Sequence, residues 1–302
     1  MTRRQIELLQ VPAQAIFVDG GRPGWAHLAI TRAGPYDQSA YERANRLVGN
    51  LPGAAAVEYV LGPLNLRTAV ACNLAVCGVG ASVRVTAEHR TRHYGTEESV
   101  AVPADAEITI GVARHGVRGY LAVRGGFAAE RVLGSRSRDT LGALGPAPLQ
   151  PGDVVGIEDA TGGYPSASWL PVEHGAHGPS DPRSPTSLPL LPAPRDSALR
   201  LPRADLAALT WTVSPDSDRV GMRLSGASLP VTAATGSEPL VRGAVQVPPD
   251  GRPVIMGPDH PTTGGYPVIG VVARDAWDVL AQLRPGDAVR LVPLTGRTRP
   301  TA

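Results

Sequence analysis

This sequence calls for a mainly β fold in two related halves, with a few short helices. Apolar runs of four to eight residues recur between Gly/Pro turns, helical spacing is rare, and one turn sequence occurs twice ahead of an apolar run.

In chain order, the runs at residues 16–18, 70–77, 82–86, 99–102, 108–112, 120–123 and 154–157 read as strands, because each is apolar or alternating and bounded by turn formers. Residues 38–48 read as a helix: Ala40, Tyr41, Ala44, Leu47 and Val48 fall on one face, Asp37 stands as N-cap and Gly49 as stop. Residues 203–209 and 274–283 are two further short helix candidates. Residues 166–196 hold seven prolines and two histidines, the composition of an exposed connector. The expected division is an N-terminal domain over 1–165, a Pro-rich linker over 166–187 and a C-terminal domain over 188–302.

An internal echo supports related halves. Leu149-Gln150-Pro151-Gly152-Asp153-Val154-Val155 and Leu283-Arg284-Pro285-Gly286-Asp287-Ala288-Val289 each lead into a late strand, 134 residues apart. Residues 114–118 and 219–223 form a second pair at a shorter offset. Thr161-Gly162-Gly163-Tyr164-Pro165 repeats Thr263-Gly264-Gly265-Tyr266-Pro267 at an offset of 102, which fits neither register and reads as coincidence.

Composition excludes several functions. With 42% hydrophobic and 19% charged residues and a net charge of +2, the chain buries ample core without calling for a polyanionic partner. Aromatic residues make up 4%, and the positive charges are scattered, which disfavours nucleic acid. The first ten residues lack the apolar run of a signal peptide, and no window supplies a membrane span of roughly 20 residues, so a cytoplasmic location is expected. Cys72 and Cys77 sit an odd number of residues apart in one strand, hence on opposite faces; both read as small core residues, and no metal site is expected.

All 29 basic residues are arginine. Without lysine there can be no side-chain Schiff base, no lysine-bearing phosphate loop and no biotinyl-lysine on this chain.

The most informative segment is residues 237–270. Ala244–Val247 reads as a strand, Pro248-Pro249-Asp250-Gly251 as a turn in which proline presets φ, and Val254-Ile255-Met256 as a second apolar run. A polar, glycine-loosened loop follows, from Thr262 to Pro267. There Gln246, Thr262, Thr263 and Tyr266 surround Gly264-Gly265, an array of hydrogen-bonding groups suited to a planar amide, ureido or carboxyl group, or else to packing on a neighbouring subunit.

This segment resembles the carboxyltransferase-type family that includes the C component of 5-oxoprolinase, the KipI antagonist KipA (allophanate hydrolase subunit 2) and the matching half of the urea carboxylase carboxyltransferase domain. Further blocks lie in family order: Asp19-Gly20-Gly21-Arg22-Pro23-Gly24 with His27-Leu28, Ala33-Gly34-Pro35-Tyr36-Asp37, Leu47-Val48-Gly49-Asn50 with Glu58, Tyr120–Val123 with Gly125-Gly126, Gly134–Ser137 and Ser217–Leu224. The likeness runs from about Asp19 to Val292. It implies two cyclophilin-like β-barrel domains and one component of an ATP-dependent 5-oxoprolinase, working with a KipI-like partner (the B-type component) and an ATP-using partner (the A-type component). Carboxyl transfer from biotin to urea or a related amide is an alternative that demands a separate biotin carrier. A non-catalytic antagonist of a KipI-like kinase inhibitor is another. The chain departs from the pattern at Val268, where lysine is usual, at Val18, and at Ala193-Pro194-Arg195.

The expected catalytic residues are Gln246, Thr263, Tyr266 and Glu58, with Asp19, Arg22, Arg136, Thr262, Gly264 and Gly265 binding substrate. Glu58 stands in an otherwise apolar stretch, where a charge is expensive unless paired. Asp19 and Arg22 frame a glycine turn, as a recognition fork or as a pair that ties the turn. Arg136 and Arg219 can instead close internal salt bridges, and His27, beside Trp25, reads as a structural ring.

Overall fold

The structure, a computed structural model, describes residues 4–165, 167–170, 184–193, 199–232 and 236–294. The expected linker lies largely outside the described residues, as do Pro194 and Arg195 of the third departure.

Two sheets form the first half. One has seven strands in the spatial order Phe127–Ala128, Val154–Ile157, Gln5–Gln10, Leu64–Thr68, Glu107–Ile110, Val83–Ala87 and Arg90–Tyr94. The other has five, in the order Ala15–Val18, Ala56–Val60, Arg118–Val123, Cys72–Cys77 and Ser99–Val102. Alternate residues of both, among them Leu64, Leu66, Leu74, Val83, Ile108 and Leu121, share one core. The helix Gln38–Leu47 covers the far face of the five-stranded sheet through Ala40, Tyr41, Ala44 and Leu47. Buried on both faces, those strands are nearly continuous apolar runs, which is why they stand out in the sequence. Cys72 and Cys77 are free thiols in different cores, one on each face.

Strand Arg90–Tyr94 has no fully buried residue. Arg90 and Arg92 pair opposite Ala87 and Val85, on the core-facing side of an open edge, where charge discourages further strand addition. Lacking apolar alternation, it cannot be found by periodicity.

The second half is a closed barrel. Its strands run Thr186–Leu191, Val268–Val272, Ala244–Gln246, Val254–Met256, Gly221–Gly226, Trp211–Val213 and Ala288–Pro293, and the last pairs in parallel with the first to close the ring. Inward residues at spacing two, such as Leu188 and Leu190 or Met222 and Leu224, fill it. Tyr36 of the first half belongs to the same cluster. The helix candidates become the 3-10 turns Arg203–Ala208 and Arg274–Ala276 and the short helix Trp277–Ala281.

The repeated turn is the same structure twice. Gly152 and Gly286 both have φ of 92°. In one copy the Gln150 N–H donates to Asp153 Oδ2 (2.8 Å), and in the other the Arg284 N–H donates to Asp287 Oδ2 (2.7 Å). The aspartate closes the turn and glycine takes the left-handed position. The second echo does not share a shape: Gly116 has φ of 70°, whereas Gly221 opens a strand.

Candidate functional site

Three groups of polar residues stand out, and the second of them bridges the two halves.

The first is the Asp19 clamp. Strand Ala15–Val18 is wholly buried and delivers Asp19 to a turn in which Gly21 has φ of 77°; a Cβ there would lie 2.5 Å from the Arg32 carbonyl oxygen. The Asp19 carboxylate accepts from the Gly21 N–H (2.9 Å), the hydroxyls of Ser135 (2.5 Å) and Ser137 (2.8 Å), and the Arg136 N–H (2.6 Å). Arg22 makes no ion pair with Asp19. It donates to the carbonyls of Val132 and Ser137, so both residues fasten the same loop, 132–137, instead of pairing with each other. Burial pulls the Arg22 guanidinium below its ordinary value against the raising influence of Asp139, Asp19 and Asp259, and its Nη1 has no hydrogen-bond partner among the described residues. Arg136 turns its side chain away, to the Ala129 carbonyl and the Glu158 carboxylate.

The second is a sealed ion network. Glu58, in the buried strand Ala56–Val60, accepts from the Tyr36 N–H and the Tyr120 hydroxyl (both 2.9 Å) on one oxygen and from Arg219 Nη1 (2.5 Å) on the other. Arg219 also grips Asp259 with Nε (2.9 Å) and Nη2 (3.0 Å) and donates to the Gly34 carbonyl (2.6 Å). Burial opposes the Arg219 charge, but Asp259 and Glu58 outweigh it and hold the guanidinium above its ordinary value. Asp259 accepts further from the Thr140 N–H (3.0 Å) and hydroxyl (2.7 Å), tying the 132–145 region to the barrel. Beside it Gln282 bridges the halves: its oxygen accepts from the N–H groups of Val117 (2.8 Å) and Arg118 (3.0 Å), and its amide donates to Asp37 (2.7 Å) and the Arg118 carbonyl (3.0 Å). Asp37 caps the helix as expected, accepting from the Ala40 N–H (2.8 Å), and burial, reinforced by Asp278, pushes its carboxyl up to about 7. The Tyr36 ring lies 4.2 Å from the Arg118 guanidinium and 5.5 Å from that of Arg242.

The third is the exposed loop. Strand Val254–Met256 leads through Gly257, where a Cβ would fall 2.2 Å from the Arg219 carbonyl oxygen, to Asp259 and His260. His260 bonds the Pro261 carbonyl through Nδ1 (2.8 Å), and burial lowers its pKa. The Leu240 N–H donates to the Thr262 carbonyl (2.9 Å), and Thr263–Gly264 pairs with Glu238–Pro239. Gln246 is buried and donates Nε2 to the Tyr266 carbonyl (3.2 Å). A Cβ on Gly264 would meet that Nε2 at 2.5 Å, so glycine is what lets the glutamine reach. Tyr266 is 48% exposed. Thr263 and Gly265 are exposed too, and Thr262 is half-buried.

Of the expected site residues, the structure unites Asp19, Arg22 and Arg136 in the clamp and Gln246, Thr262, Thr263, Gly264, Gly265 and Tyr266 in the loop. Glu58 connects to the loop only through Arg219 and Asp259. Val268, in the place of a lysine, packs with Ala193, Leu240, Ala244, Val254 and Met256 beneath the loop and lies opposite the buried Gln246 in the barrel. His27 stacks on Trp25 and bonds the Gly24 carbonyl (3.1 Å). Asp259, Gln282 and the two serines of the clamp escape sequence reasoning; the glycine before Pro258-Asp259 is the one local signal that the chain passes close to another backbone there.

The carboxyltransferase domain, subdomain A and B, matches residues 28–293. The chain is 31% identical to the C component of 5-oxoprolinase from Escherichia coli over 285 residues, covering 91% of this chain and 86% of that protein. It is 27% identical to the urea amidolyase of Saccharomyces cerevisiae, over 91% of this chain and 16% of that protein. Its fold superposes on the crystal structure of the K. lactis urea amidolyase with a TM-score of 0.87 at 24% identity, covering 98% of this chain and 19% of that chain. The chain thus spans under a fifth of that amidolyase's length. Among the described residues no helix is long and apolar enough to cross a membrane.

Proposed function

Because the chain belongs to the carboxyltransferase domain family, subdomain A and B, we propose that it is the carboxyltransferase-type component of an ATP-dependent 5-oxoprolinase in the cytoplasm, which opens the lactam of 5-oxoproline to glutamate. The observation that carries this reading is the 31% identity to the C component of the E. coli 5-oxoprolinase across most of both chains. Lactam opening adds water across the amide C–N bond: the carbonyl carbon gains oxygen and the nitrogen gains hydrogen. ATP hydrolysis is assigned to the A-type partner, a reading supported by the lack here of any lysine for a phosphate loop.

In this reading the substrate meets the exposed loop. The hydroxyls of Tyr266, Thr262 and Thr263 and the N–H group of Gly265 are donors for a lactam carbonyl or a carboxylate, while Gly264, paired with Glu238, shapes the loop and lets substrate approach its backbone. Gln246 positions the loop from below through the Tyr266 carbonyl. Asp19, Arg22 and Arg136 hold the 132–137 segment, and Glu58, enclosed with both oxygens engaged, sets the frame between the halves without touching substrate. A KipI-like partner completes the site.

The urea amidolyase likeness favours a second reading, carboxyl transfer to urea or a related amide. That reading needs a biotin carrier on another chain, because no lysine is present here to bear biotin. The deciding experiment is co-purification with the KipI-like and A-type proteins followed by an assay of ATP hydrolysis. Hydrolysis that depends on 5-oxoproline supports the proposal. A tight complex without it points to the antagonist, and activity that appears only with a biotinylated carrier and urea points to the carboxyltransferase.

A further inference from the structure

We propose that the first half carries a second ligand site, separate from the Tyr266 loop, which takes a small anion with a planar face, a carboxylate on a flat ring or conjugated system. It lies over Asn50 and Leu51, where a cavity of about 290 Å³ bordered by Arg46 and Tyr164 adjoins one of about 190 Å³ bordered by Arg131 and Arg136; Asn50, Leu51 and Gly162 line both.

Charge gives the sign of the ligand. Arg124 spends its guanidinium on the neutral carbonyls of Val48 (3.0 Å), Gly163 (3.0 Å) and Gly162 (2.8 Å). Among the described residues, Arg46, Arg124 and Arg131 have no carboxylate partner. The two acids at the groove are already engaged, Glu158 with Arg136 and Asp159 with Arg4. The wall is therefore cationic, and among the described residues no partner takes the donors of Arg46 and Arg131, which are available to a carboxylate.

Geometry gives its shape. The Arg124 guanidinium stacks 4.2 Å from the centroid of the Tyr164 ring, fixing a phenol that is 82% exposed. One face is held by the cation and the other is free to stack on a flat ligand. The floor is rigid. A Cβ would lie 2.5 Å from the Gly163 carbonyl oxygen at Gly49, 2.3 Å from the Gly49 carbonyl oxygen at Gly162 and 2.0 Å from the Glu158 carbonyl oxygen at Gly125. Asn50 locks them together, donating to Asn45 and the Val123 carbonyl and accepting from the Gly125 N–H (each 2.8 Å). This also explains what the repeated Thr-Gly-Gly-Tyr-Pro does here: Gly162 allows close approach to the Gly49 carbonyl, the carbonyls of Gly162 and Gly163 accept from Arg124, and the tyrosine caps the guanidinium.

The test is calorimetric titration of the full chain with benzoate and, separately, with inorganic phosphate. Saturable benzoate binding, weakened about tenfold or more by Arg46→Ala and by Tyr164→Ala, is expected. Tyr164→Phe, which keeps the ring, and Tyr266→Ala, at the other site, are expected to bind as the unaltered chain does. Absence of saturation, or saturation indifferent to both alanine variants, overturns the site. Phosphate binding as tight as benzoate overturns the planar class. Loss with Tyr266→Ala places the ligand at the 5-oxoproline loop and also overturns the proposal. Both altered side chains are exposed, and circular dichroism confirms that each variant is folded.

Discussion

Glu58 and Arg219 are 161 positions apart in sequence and meet at 2.5 Å, with 1% and 0% of their side chains exposed. A charge pair this enclosed recovers its lost hydration only if every remaining donor and acceptor is matched. Here Tyr36, Tyr120, Gly34 and Asp259 supply the matches, so the pair fixes how the barrel sits against the two sheets.

Arg219→Met leaves Asp259 a buried carboxylate without its guanidinium and Glu58 with only the longer contact to Arg118 Nε (3.7 Å), and is expected to cost about 3–5 kcal/mol in urea denaturation. Glu58→Gln leaves Arg219 still bound to Asp259 and costs clearly less. Equal losses in the two variants are incompatible with this network.

Asp37 contributes a pH dependence of unusual sign. Its carboxyl titrates at about 7 in the folded chain against an ordinary 3.8, chiefly through burial. Between those values the folded state holds a proton that the unfolded state has released. Its contribution to stability is therefore full below about pH 4, falls as pH rises towards 7, by up to about 1.4 kcal/mol per unit, and is flat above. Asp37→Asn is expected to remove that slope, whatever its effect on absolute stability. Denaturation midpoints of the two proteins from pH 4 to pH 8 check it; parallel profiles refute it.

Gly264 and Gly265 are adjacent but not equivalent. A Cβ on Gly264 falls 2.5 Å from Gln246 Nε2 and 2.7 Å from Leu240 Cδ1, whereas one on Gly265 meets nothing within 4 Å. Gly264→Ala should cost about 1–3 kcal/mol by overpacking and displace the loop, while Gly265→Ala stays within about 0.5 kcal/mol of the unaltered chain. Thermal unfolding of the two variants decides.

Gln282 serves four partners across the join. Gln282→Ala orphans the N–H groups of Val117 and Arg118, each at about 1–3 kcal/mol, and leaves Asp37 without its side-chain donor. A loss of at least about 3 kcal/mol in chemical denaturation is expected; one below about 1 kcal/mol would show that water replaces the amide.

How much of this the sequence discloses depends on the range of the interaction. The helix Gln38–Leu47 is legible because Asp37, its apolar face and Gly49 act within a few residues of one another. The twin turns at Gly152 and Gly286 and the glycine-threonine loop are legible for the same reason. The Asp19 clamp is half legible: its glycine turn is local, but Ser135 and Ser137 arrive from 116 and 118 positions away. Arg219, Asp259 and Gln282 gain their roles only when the halves dock. For Glu58, the sequence shows a charge in need of a partner and leaves the partner unnamed. Strand Arg90–Tyr94 is hidden because an edge needs charge where a core strand needs apolar residues.

Under the proposed function the exposed loop meets substrate, so the Tyr266 hydroxyl is expected to matter to turnover and not to stability. The decisive measurement is 5-oxoproline-dependent ATP hydrolysis by the reconstituted complex carrying Tyr266→Phe, beside the thermal midpoint of the same variant. Turnover is expected to fall about tenfold or more, the worth of one hydrogen bond realised in the transition state, with the midpoint unchanged. Full turnover with the hydroxyl gone would refute the assignment of the loop to substrate.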